Sequence, residues 1–86
     1  MMQKKKPSPE EIAMTAHWGT WEKEASEFPW HYSEKETCYI LEGSATVTES
    51  GGENLEFGKG DLVEFEKGTD CTWTIHEKIV KKYKFG

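Results

Sequence analysis

The sequence contains no arginine: all eleven basic residues are lysines, set against 16 acidic ones for a formal net charge of −5. Such a chain lacks the planar guanidinium fork that reads guanine and grips phosphate with paired hydrogen bonds, so nucleic acid is not an expected partner. Long apolar runs are missing too. None approaches the roughly 20 residues of a membrane-spanning helix, so the chain reads as soluble, with no membrane partner. The basic start, MMQKKKPSPEE, leads into no apolar stretch of the kind a secretory signal carries, which points to the cytoplasm. Cysteine is scarce. Cys38 and Cys71 are too few for a disulfide scaffold, form no C-x-x-C pair, and read as reduced thiols. With 86 residues there is room for one core only.

Aromatic residues are abundant instead: four Trp, three Tyr and four Phe in a chain that is only 35% hydrophobic. Residues 1–17 form a lead-in segment. The first seven, with Lys4, Lys5, Lys6 and Pro7, read as a solvated tail. Ser8 as N-cap, Pro9 at the first helical position and Glu11 as the far half of a capping box then predict a short helix. Ile12 and Ala16 are its expected inward residues, and Gly19 its stop.

From residue 20 the period drops to two. Trp21 opens a strand, Phe28, Trp30 and Tyr32 alternate with Pro29, His31 and Ser33, and 37–41 (TCYIL) is an apolar run followed by another at 45–48. Turns at 50–53, 58–61 and 67–70 separate further strands at 54–57, 62–65, 71–75 and 79–85. Short strands with frequent turns and no βαβ spacing indicate an all-β sandwich or barrel over residues 18–86. Cys38 and Ile40 face one way and Tyr39 and Leu41 the other. Both faces are apolar, so a homodimer or the N-terminal segment is expected to cover the outer one.

Within this pattern, Glu36 with Gly43 seven residues later, and Gly60 followed by Glu66, Gly68 and Cys71, resemble the two cupin motifs. The segments 18–22 (WGTWE), 28–32 (FPWHY), 36–43 (ETCYILEG), 60–65 (GDLVEF), 68–73 (GTDCTW) and 81–85 (KKYKF) are similar to very small RmlC-like cupins related to the cupin domain of (S)-ureidoglycine aminohydrolase. That resemblance implies a double-stranded β-helix, a jelly-roll-like barrel with a small-molecule pocket at its centre.

It also implies a metal site, from which the sequence departs. The first-motif histidine positions fall on Trp30 and Tyr32, or on Pro29 and His31 with the longer spacing; the second-motif positions are Cys71 and Ile75. Glu36 alone matches cleanly, so no metal ligand set is expected, with a divalent cation as the alternative. His31 belongs to the face opposite Trp30 and Tyr32; His17 and His76 read as solvated.

Strand alternation instead turns Trp30, Tyr32, Glu36, Cys38, Cys71 and Trp73 inward, with Lys81 on the face shared by Ile79, Tyr83 and Phe85. A buried Glu36 requires a partner, and Tyr32 or Lys81 is the candidate. The expected function is small-molecule binding in an aromatic-walled pocket. Glu36 and Tyr32 serve as candidate catalytic base and acid of a metal-independent enzyme, and Trp30, Cys38, Cys71, Trp73 and Lys81 as ligand contacts. Two alternatives stand beside it: a metal-dependent ureide-type hydrolase with an incomplete ligand set, and a non-catalytic structural or interaction barrel.

Overall fold

Alternation of inward and outward side chains lets a strand serve a core on one face, and here it curls one antiparallel sheet around a single interior. The computed structural model describes residues 1–86. The strands are β1 (Met2–Lys5), β2 (Gly19–Lys23), β3 (Ser26–His31), β4 (Glu36–Glu49), β5 (Asn54–Gly58), β6 (Leu62–Phe65) and β7 (Asp70–Phe85); helix α1 (Pro9–Met14) and a 3-10 turn (Thr15–His17) separate β1 from β2. This is the expected all-β barrel with a short N-terminal helix. No helix is long and apolar enough to cross a membrane.

Two long strands organise the fold. β4 runs for 14 residues and β7 for 16, and they pair with each other along almost their whole length. Each then divides its other edge: β4 takes β6 at 36–39 and β5 at 44–48, while β7 takes β3 at 70–75 and β2 at 79–83. The sequence suggested breaks near 42–44 and 76–78. The chain bends there without leaving the sheet, through register shifts between Ile40 and Ala45. Gly43 makes the bend possible. Its φ is +90°, and a Cβ placed on it would lie 2.0 Å from the carbonyl oxygen of Lys78.

The interior is mostly aromatic and β-branched. Tyr32 stacks on Phe65 with centroids 4.6 Å apart, Phe57 meets Trp73 edge-on at 5.4 Å, and Val47, Val63, Ile40 and Ile79 fill the space between. On the outer face, Tyr39 and Leu41 are half-buried within the single chain.

The N-terminal segment departs from expectation in two places. Residues 2–5 are a strand and not a solvated tail: β1 pairs with β6, Met2 lies opposite Phe65, and its side chain is 5% exposed within the core. The lysine run concealed this because its ammonium groups stay in water, Lys5 against Glu11 at 2.6 Å and Lys6 against Asp61 at 2.8 Å. Helix α1 begins as expected, with Ser8 Oγ accepting from the Glu11 amide and Glu11 Oε1 accepting from the Ser8 amide. Ile12 and Ala16, however, are exposed. Thr15 is the inward residue, its hydroxyl donating to the Ile12 carbonyl at 2.7 Å.

Candidate functional site

Four strands and one strand exit converge on a cavity of about 510 Å³, within the size range of small-ligand sites. β4 supplies Glu36 at its first position. β7 supplies Trp73 and Lys81 and, nearer the opening, Tyr83 and Phe85. β2 brings Trp21 and Lys23, β3 brings Phe28 and Trp30, and Tyr32 follows β3 directly. Register explains the convergence: Trp21 lies opposite Lys81, Phe28 opposite Trp73, and Ile40 places Lys81 against β4.

The centre of the site is an ion pair. Lys81 Nζ donates to Glu36 Oε2 at 2.7 Å, and the two side chains are 7% and 5% exposed. Lys81 Nζ also sits 4.8 Å from the ring centroids of both Trp21 and Trp73, so its remaining protons face two π-surfaces. The expected partner for Glu36 is therefore Lys81, not Tyr32. Glu36 Oε1 accepts no hydrogen bond from the protein, and Glu36 lines the cavity.

Tyr32 is held by a different contact: Trp73 Nε1 donates to its hydroxyl oxygen at 3.1 Å. Burial, together with the nearby Glu36 carboxylate, pushes the phenol far above its ordinary range, so it remains a neutral hydrogen-bond donor. Trp73 in turn lies parallel to Phe28, centroids 6.2 Å apart, and edge-on to Trp21 at 6.2 Å. These contacts fix the walls.

Of the residues expected to meet a ligand, Trp30, Tyr32, Glu36, Trp73 and Lys81 line the cavity, with Trp30 half-exposed at the rim. Cys38 and Cys71 do not. Cys38 is wholly buried, and Cys71 donates to the Trp30 carbonyl at 3.5 Å. Inward alternation is correct for both, but they sit in the packed core, away from the opening. Trp21, Lys23, Phe28, Pro29, Tyr83 and Phe85 are the lining residues that were not expected to meet a ligand. The signal for Trp21 was the strand face it shares with Lys23, which becomes informative only once β2 is known to pair with β7.

Burial pushes the Cys38 thiol up to about 12, against a smaller downward pull from Lys81, and the Cys71 thiol up to about 11. Above the unfolded thiol pKa of about 8.5, the native state thus holds more protons than the unfolded one, so stability falls as pH rises through that window. Both thiols are expected to resist a thiol-specific disulfide reagent near pH ~8 in the native protein and to react promptly in denaturant. Rapid labelling of the native protein would contradict their placement.

The metal expected of many cupins has no matching donors here. The Glu36 carboxylate is engaged by an ammonium, the residues at the histidine positions are Trp30 and Tyr32 on one spacing and Pro29 and His31 on the other, and His31 lies on the surface against Asp70. Nowhere do three His, Cys, Asp or Glu side chains gather as a ligand set. His76 bonds Thr46 on the surface, and His17 is exposed.

Comparison with known proteins agrees with this barrel. Residues 11–83 match the model of the EutQ-like cupin domain. The chain belongs to the EutQ-like cupin family. This EutQ-like cupin superposes on a DUF861 family protein from Thermotoga maritima with a TM-score of 0.97 at 43% identity, covering 100% of both chains. It also matches the EutQ protein of Clostridium difficile, with TM-score 0.71 and 19% identity over 78% of this chain and 52% of that one. A putative ethanolamine utilization protein Q from Salmonella typhimurium gives TM-score 0.71 and 24% identity, covering 78% and 54%. At those identities the two EutQ likenesses speak to the fold alone, and this cupin spans about half the length of each. No curated protein matches it. The cupin resemblance read from the motifs is thereby met; these matches do not single out the ureidoglycine aminohydrolase branch.

Proposed function

We propose that this EutQ-like cupin binds a small polar metabolite in the aromatic-walled cavity without a metal, with Glu36 as hydrogen-bond acceptor and Tyr32 as donor. The observation that carries the reading is the Glu36–Lys81 pair, which satisfies the carboxylate internally and leaves Oε1 for a ligand. A filled structural barrel would not need a cavity of about 510 Å³ beside a buried charge pair. The raised pKa of the Tyr32 phenol suits it to donate a hydrogen bond to a bound molecule and not to release its proton, so the couple is built for binding.

Trp21 and Trp73 line the cavity, so their fluorescence reports occupancy. A screen of small hydroxy acids, ureides and sugars is expected to yield a binder. Glu36→Gln, whose amide oxygen can still accept from Lys81, and Tyr32→Phe should each weaken it about tenfold, the cost of one hydrogen bond to a charged or buried partner. Binding unchanged in both variants would remove the assignment.

A further inference from the structure

The charges lining the cavity do not balance. Three side chains carry them: Lys23, Glu36 and Lys81. Glu36 and Lys81 neutralise each other at 2.7 Å, which leaves Lys23. Its sequence neighbours do not compensate it, since Glu22 and Glu24 turn to Lys78 at 3.4 and 3.7 Å. Lys23 makes no ion pair of its own. Its ammonium lies 5.3 Å from the Phe28 centroid, and Phe28 is itself part of the cavity wall.

We infer that the cavity selects a small carboxylate anion, with the Lys23 ammonium meeting its charge at the opening. This rests on the binding reading above and adds the class of ligand. A cation entering the site would meet two ammonium groups, and the one carboxylate there already has its counter-charge. A neutral ligand would leave Lys23 unused. The protein's net charge of −5 opposes an anion at long range, but such charges are screened beyond about 8 Å at physiological ionic strength, so the local unpaired ammonium decides. The apolar faces of Trp21, Phe28 and Trp73 suit a flat or aliphatic body behind the carboxylate.

The test uses three probes of one shape and different charge: benzoate, benzamide and benzylammonium, titrated while the indole N–H signals of Trp21 and Trp73 are followed by NMR. Benzoate is expected to bind about fivefold tighter than benzamide, the scale of one partly exposed ion pair, with benzylammonium weakest. The preference should shrink toward unity in Lys23→Gln and invert in Lys23→Glu, both at an exposed position where the fold is not at stake. Benzamide or benzylammonium binding as tightly as benzoate, or a benzoate preference surviving Lys23→Glu, overturns the inference while leaving the cavity a binding site. If none of the three moves either indole signal, the binding reading itself falls.

Discussion

Replacing Lys81 with methionine is expected to destabilise the protein by about 3–5 kcal/mol, because it leaves Glu36 as a buried carboxylate without its counter-charge. For a domain of 86 residues, total stability is of the order of 4–13 kcal/mol, so the loss takes a large share of it. The single substitution removes an ion pair at 2.7 Å and two cation–π contacts at 4.8 Å together. The double variant Glu36→Gln with Lys81→Met separates these effects. It removes the stranded charge and is expected to recover much of the loss, since a buried pair contributes little net beyond a well-packed apolar replacement. Equilibrium unfolding in urea measures both. A Lys81→Met protein within about 1 kcal/mol of wild type would show that water reaches Glu36 freely and that the pair is not the floor of the site.

Gly43→Ala is the second substitution with a large effect. A methyl group there would stand 2.0 Å from the Lys78 carbonyl oxygen and 2.7 Å from that of Glu77, at φ +90°. Backbone cannot withdraw as a flexible side chain can, so β4 and β7 must part at the bend. Backbone strain alone costs about 1–3 kcal/mol, and the clash adds to it, giving an expected loss of at least about 3 kcal/mol. Gly51→Ala is the control: nothing lies within 4 Å of its added carbon, and it should stay within about 0.5 kcal/mol of wild type. Equal effects at the two positions would mean that the bend tolerates a side chain. Ligand binding should suffer with Gly43→Ala too, because the bend adjoins the stretch where residues 36–40 of β4, with Glu36, pair with residues 81–85 of β7, with Lys81.

What could be read from the sequence followed local rules. The strand at 62–65 falls on β6, and the capping box starts α1 at Pro9. The shared face of Ile79, Lys81, Tyr83 and Phe85 holds: Ile79 is core, and the other three line the cavity. Misreadings came where local pattern carries no information. Period-two alternation tells which face a residue takes but not its depth along the barrel, so Cys38 and Glu36, on the same face of β4, end in the core and at the cavity respectively. Trp21 and Phe28 reach the site through pairing with a strand some fifty residues further on, a register set by the whole fold. Met2 was hidden by the charge of the lysines beside it.

The pairing of β7 also orders events as the chain is made. β2 and β3 bond to no strand other than β7, which comes after the other six strands in chain order. During synthesis both must therefore wait, with Trp21 and Phe28 unpacked, until residues 70–85 have cleared the ribosome. The barrel cannot close piecemeal from its N-terminal side, and pairing over such long separations folds slowly compared with helical domains. The cavity, walled by both β2 and β3, exists only once β7 has been made and has paired with them.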